Sequence, residues 1–176
     1  MKRYSVFFVP HLKNRKKLLP IRAKLCKNYK NYENMQYPLH MTFTWGFPIK
    51  NYAKFERELK QLCAKQKPRI LKAKPKTAII LKYYWSGISI ENTPWLRSFQ
   101  KKIKKKTNKY ATKKERHRFW PHISLVYSLE EKPIDLSDLK PIKNPVTRFN
   151  MDRITICKQQ KKGEKYKIFK HIKLGK

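Results

Sequence analysis

Two stretches of the chain alternate apolar and polar residues with the period of a strand. In Phe119–Ser128, Ile123, Leu125 and Tyr127 alternate with His122, Ser124 and Val126, the pattern of a strand with one face on a core. His122 and Ser124 then leave the same face, about 7 Å apart along the strand. Tyr37–Phe47 repeats the pattern more weakly, with Met41, Phe43 and Trp45 on one face and His40, Thr42 and Thr44 on the other. Both stretches share an order of aromatic residue, Pro, His, apolar residue, hydroxyl residue and apolar residue, and the two His stand 82 positions apart. The chain reads as two half-domains, each presenting one His-x-Thr/Ser pair.

The remaining elements follow from the same patterning. Tyr4–Val9 is a short β-type run, and His11–Leu19 is basic and loop-like. Pro20 opens a helix at its first position, with Ile21, Leu25, Cys26 and Tyr29 on one stripe. Asn31–Pro38 leads into the first His strand, which Gly46–Pro48 ends. Asn51 caps a helix with the stripe Tyr52, Phe55, Leu59, Leu62 and Cys63, closed by Pro68. Ile70–Lys72 and Ala78–Tyr83 read as strands separated by Pro75, and Trp85–Ile90 as another. Thr93-Pro94 starts a helix that buries Trp95, Leu96, Phe99 and Ile103. Pro133–Pro145 is a polar connection, and Arg148–Lys158 pairs with Lys165–Lys173 around Lys162-Gly163-Glu164. Strand–helix–strand–helix, twice over, predicts an α+β protein of two similar lobes forming a single domain over residues 1–176.

Charge sharpens this picture. The chain carries a net charge of +34, yet 40% of it is apolar and 13% aromatic, so it has a core to build. Such charge is felt by any polyanion: nucleic acid is the first candidate partner and an anionic membrane the second. Of the 45 basic residues 35 are Lys, mobile point charges suited to phosphate rather than to base edges. Lys101–Arg118 holds ten Lys or Arg against one acid, Glu115, and runs directly into the second His strand. Lys104, Lys105, Lys106, Lys113 and Lys114 are therefore candidate contacts to an RNA backbone. Cys26, Cys63 and Cys157 form no Cys-x-x-Cys pair, which points to a reducing compartment, cytoplasm or nucleus, and away from a thiolate zinc site. No signal peptide or transmembrane run is visible, so no membrane partner is expected.

The paired motifs carry the chemistry. Two imidazoles titrating near neutral pH can act as general base and general acid. A hydroxyl two residues along the same face can donate to a phosphoryl oxygen held between them. No carboxylate cage calls for a metal. His11, His117 and His171 lack a hydroxyl at the second position onward and serve as internal controls. Strict alternation sends Tyr127 to the face opposite Ser124 unless the strand twists or bulges, and it assigns Trp45 to the core. Of Trp45, Trp120 and Phe47, Trp120 is the best placed to stack a base at a cleft mouth.

His40-Met-Thr42 and His122-Ile-Ser124 resemble the paired motifs of the two-histidine phosphoesterase superfamily, which includes RNA 2′,3′-cyclic phosphodiesterases and 2′-5′ RNA ligase-like proteins. His122-Ile-Ser124-Leu-Val-Tyr127 is most similar to the plant and yeast cyclic phosphodiesterases, whose matching segment carries a functional Tyr. The resemblance implies a bilobal fold of two antiparallel sheets facing a central cleft, with helices outside. It also implies a monomer without cofactor or metal, acting on RNA or nucleotides. His40 and His122 would be catalytic, and Thr42, Ser124 and Tyr127 would bind phosphate. The expected reactions are opening of a 2′,3′-cyclic phosphate to a 2′-phosphate or cleavage of 2′-5′ or 3′-5′ linkages. The alternative of another class is a non-catalytic RNA-binding protein.

Overall fold

The structure, a computed structural model, describes residues 2–32, 35, 37–80, 83–114, 118–128, 146–160 and 164–175. Among the described residues eight strands and three helices follow in the order β1 (Arg3–Phe8), α1 (Leu12–Asn28), β2 (Met41–Pro48), α2 (Tyr52–Ala64), β3 (Arg69–Ile80), β4 (Tyr83–Ile90), α3 (Pro94–Tyr110), β5 (His122–Ser128), β6 (Arg148–Met151), β7 (Arg153–Gln159) and β8 (Lys167–Lys173). They form two four-stranded antiparallel sheets, ordered β2-β1-β7-β8 and β5-β4-β3-β6. The α+β class and the two-sheet architecture are those expected.

The lobes are not sequence halves, however. The first sheet takes β1 and β2 from the start of the chain and β7 and β8 from its end. Arg148–Lys158, expected as one strand, is divided at Asp152. Residues up to Met151 pair with β3 in the second sheet, and the strand from Arg153 belongs to the first, where its residues from Thr155 on pair with β1. Asp152 Oδ1 accepts from His11 Nε2 at 2.9 Å, which ties this crossing to the start of α1.

Helix α1 begins eight residues before Pro20, inside the segment expected to be a loop, so Pro20 lies within the helix. Pro20 is exposed, which lets water serve the carbonyl that an interior proline leaves without a partner. Leu18, Leu25 and Cys26 are fully buried beneath it. Asn51 and Thr93 cap as expected: their side chains accept from Lys54 N at 3.0 Å and Leu96 N at 3.2 Å. Pro75 does not break its strand. It lies in β3 opposite Ile88, on a stretch where β6 no longer pairs with the other edge, a position a strand proline tolerates. The Pro133–Pro145 connection and the turn at Lys162-Gly163 fall outside the described residues.

The basic Lys101–Arg118 segment is helical as far as Tyr110. Its buried stripe runs on past Ile103 to Thr107, whose hydroxyl meets that of Thr44 at 3.3 Å. Each fully buried Leu, Ile or Phe of that stripe contributes about 1.5–3 kcal/mol, and the stripe seats α3 against β2. Lys106 and Lys109 bind Glu58 of α2 from the other side, Lys106 at 2.7 Å.

Candidate active site

The two His strands are the facing edges of the two sheets. His40 and Thr42 at the start of β2 and His122, Ser124 and Tyr127 on β5 line one cavity of about 140 Å³, together with Arg22, Tyr37, Pro38 and Trp45. The structure thus brings together both histidines and all three expected phosphate-binding residues. In each copy the imidazole is oriented by its own backbone. His40 Nδ1 lies 2.7 Å from Pro38 O, and His122 Nδ1 lies 2.7 Å from Trp120 O. A carbonyl can only accept, so Nδ1 carries the proton in the neutral ring and Nε2 is left with its lone pair toward the cleft. Pro121 holds Trp120 extended and so helps set its carbonyl under the His122 ring; in the first copy the orienting carbonyl belongs to the proline itself, Pro38.

Both strands carry a β-bulge at the same place. The register against β1 jumps between Phe7↔Thr42 and Val6↔Thr44, and the register against β4 jumps between Gly87↔Ser124 and Ser86↔Val126. The extra residue leaves two consecutive buried positions, Phe43 and Thr44 in one strand and Leu125 and Val126 in the other. A residue three beyond the hydroxyl then returns to the cleft face. This brings Tyr127 into the cavity. It also corrects the assignment of Trp45 to the core: Trp45 is 39% exposed and lines the cleft.

The environments of the two histidines differ. His40 stacks on Phe7 with ring centroids 4.0 Å apart, and Trp45 lies 6.1 Å away. His122 lies 4.1 Å from Trp120 and meets the edge of Trp85 at 5.1 Å and 86°. Desolvation depresses both imidazoles below the ordinary value, and the carbonyl bonds oppose it only in part. His40 falls to about 4, with the neighbouring His122 and Arg22 charges pushing the same way. Both rings are therefore neutral near pH 7.

A relay of donors reaches the cleft from the second sheet. The buried Trp85 indole N–H donates to Ser124 Oγ at 2.9 Å, and Ser124 O–H donates to the Tyr127 hydroxyl at 3.2 Å. Desolvation raises the Tyr127 phenol, partly countered by Ser124, so it stays protonated and can donate onward. Gly87 lies opposite Ser124, and a Cβ there would stand 2.3 Å from Ile123 O and 2.6 Å from the Trp85 ring. Its lack of a side chain lets the indole reach the serine.

A second cavity of about 370 Å³ opens beside the first and shares Thr42, Trp45 and His122 with it. Phe43, Phe119 and Trp120 supply its aromatic walls, and Gln100 and Arg118 its polar ones. Trp120 is at the wall where a base could stack, whereas Phe47 lines neither cavity. Lys104, Lys105, Lys106, Lys113 and Lys114 also line neither. Of the control histidines, His11 binds Asp152 and His171 Nδ1 meets Thr155 Oγ1 at 2.9 Å; His117 is outside the described residues. Among the described residues no group of three or more His, Cys, Asp or Glu converges as a metal site, and no helix is long and apolar enough to cross a membrane.

Arg22 and Trp85 were missed at the level of sequence. Arg22 did leave a signal: it falls between Leu18 and Leu25 at helical spacing, a cation on an apolar stripe.

Comparison with solved structures supports the fold. The chain superposes on E. coli LigT complexed with 3′-AMP with a TM-score of 0.60, 15% identity and 99% of each chain covered. A structure described as a phosphoesterase gives a TM-score of 0.63 at 14% identity over 99% of each chain. Kluyveromyces marxianus Usb1 with uridine monophosphate gives 0.51 at 10% identity over 98% of each chain. No protein-family model matches the sequence, and no curated protein matches it. The chain shares its two-sheet fold with these three structures, as the paired motifs led one to expect.

Proposed function

We propose that the chain is a metal-independent phosphodiesterase that opens 2′,3′-cyclic phosphates on RNA ends or nucleotides to 2′-phosphates. One observation carries this reading: two His-hydroxyl pairs, from strands of different sheets, line one small cavity with both imidazoles held by the same Nδ1-to-carbonyl bond. That arrangement suits a phosphoryl group approached from both sides. One imidazole Nε2 takes a proton from water as the oxygen attacks phosphorus. The P–O3′ bond breaks, and the other imidazole, in its protonated form, gives its proton to O3′. The products are a 2′-phosphate and a 3′-hydroxyl. Thr42 and the Ser124–Tyr127 relay donate to the non-bridging oxygens as charge builds on them.

The larger aromatic cavity supports a nucleobase beside the phosphate, stacked on Trp120 or Trp45. The fold is shared with proteins solved with 3′-AMP and uridine monophosphate, in keeping with a nucleotide or RNA substrate. The same side room favours a second reaction, cleavage of 2′-5′ or 3′-5′ linkages, because it could hold a leaving nucleoside. The outward Lys of α3 would then attract the rest of an RNA chain. Incubation with nucleoside 2′,3′-cyclic monophosphates, a cyclic-phosphate-ended RNA and 2′-5′ oligoadenylate, all in EDTA, tests the reading. Release of a 2′-phosphate from the first two is expected. Turnover of oligoadenylate alone would favour the second reaction, and binding without turnover of any would make the protein an RNA binder.

A further inference from the structure

The small cavity has a charge problem. With Nδ1 protonated, each neutral imidazole turns a lone pair toward the space a phosphoryl group would enter, and a lone pair repels an anionic oxygen. The hydroxyls of Thr42 and Tyr127 donate hydrogen bonds but bring no charge. The surface Lys residues raise the local concentration of any anion, but they line neither cavity. Among the described residues that line the small one, Arg22 alone carries a permanent charge.

Its placement is specific. Arg22 lies on the apolar face of α1 between Leu18 and Leu25 and is 6% exposed. One guanidinium nitrogen donates to Tyr37 O at 2.9 Å, which fixes the fork beside the Pro38–His40 turn. Burial lowers the guanidinium's own pKa, but from so high a start that it remains charged at neutral pH. Its charge is close enough to His40 to help depress that imidazole.

We propose that Arg22 is the phosphate-binding cation of this site, its planar fork taking the non-bridging oxygens of a monoanionic phosphoryl group opposite Thr42 and the Ser124–Tyr127 hydroxyls. This deepens the phosphodiesterase reading and rests on it for the identity of the substrate, though not for the anion itself. It also gives the site an order of events. An anion seated on Arg22 cancels the charge that opposes protonation of His40 and adds a negative one beside both rings. The imidazole pair therefore gains proton affinity when substrate arrives, and the general acid is made in the complex rather than in the free protein.

The test reads the site directly, without turnover. The imidazole C–H resonances of His40 and His122, assigned with His40→Ala and His122→Ala, are followed in wild type and Arg22→Gln as inorganic phosphate is added and as pH is varied. In wild type both should shift saturably with phosphate, and the midpoint of His40 should rise when phosphate is bound. In Arg22→Gln the phosphate dissociation constant for these shifts should rise roughly ten- to hundredfold, the range of a lost charge-assisted contact. The His40 midpoint of the free protein should rise as well, because a nearby cation has gone. Wild-type affinity together with an unmoved midpoint would overturn the proposal. Should Arg22→Gln fail to fold, Arg22→Lys decides: the charge remains but the fork is lost, so affinity should fall severalfold, and unchanged affinity would overturn it. Arg22-dependent phosphate binding in a protein that turns over no phosphodiester would leave this proposal standing and remove the reaction.

Discussion

Strands β2 and β5 differ in their neighbours far more than in their backbones. Each has a histidine at or just before its first residue, oriented by the carbonyl two residues back, places a hydroxyl residue next on the same face, and bulges immediately after it. Around that shared frame the side chains diverge. His40 lies flat on Phe7 in the first sheet, whereas His122 is wedged between Trp120 and the edge of Trp85. Thr42 has no side-chain hydrogen bond among the described residues, while Ser124 accepts from Trp85 and donates to Tyr127. The backbone sets where the two imidazoles stand, and the packing sets how readily each takes a proton.

The comparison can be broken most decisively at the histidines. His40→Ala and His122→Ala should each lower turnover by about a hundredfold or more, with folding retained by circular dichroism. Near-normal turnover in either would remove that half from the chemistry. Next, Trp85→Phe takes the indole N–H from Ser124 and should cost roughly three- to tenfold in turnover, one uncharged hydrogen bond. Phe7→Leu removes the ring beneath His40 and should mainly move the pH dependence through that imidazole. Equal effects of the two on turnover and on pH dependence would mean that the sheets do not divide these roles.

Stability offers a smaller test. The folded pKa of His40, about 4, lies below its unfolded value of 6.5, so the unfolded chain binds the proton more tightly. Stability should be full above about pH 6.5, fall as pH drops toward 4, and level off below that. His40→Asn should flatten that part of the profile of Tm against pH; an unchanged slope would assign it to other groups. The smallest effect is expected on the lysines of α3 and of the residues just after it. Replacing Lys104, Lys105, Lys113 and Lys114 by Gln should flatten the salt dependence of KM for a long RNA and leave a mononucleotide cyclic phosphate unaffected. Lys106 belongs to a different set, because it and Lys109 hold Glu58 at a pKa of about 2.

Both His-hydroxyl pairs and the caps Asn51 and Thr93 were legible because each is a local pattern with a local cause. What escaped was set by distant partners. A bulge adds no residue type of its own, so period-2 alternation ran through Phe43 and sent Trp45 inward. The first half of α1 lacks a capping side chain and is dense in Lys and Arg; what favours it is the burial of Leu18, visible only in the fold. Arg22, within the part of the helix expected from Pro20, joins the buried stripe only because α1 extends back to Leu18. The division of Arg148–Lys158 between two sheets is likewise a choice made by β3 and β1, not by the segment.

That division bears on how the cleft can move. The sheets are joined at Asp152 by a single residue, so they cannot slide past one another without breaking a strand at one end. A flex there would turn about the backbone angles of Asp152, and the His11 side chain braces the joint from α1. A flex at this joint would widen or narrow the gap between the imidazoles from outside the cleft, as the span of tongs changes at the pivot.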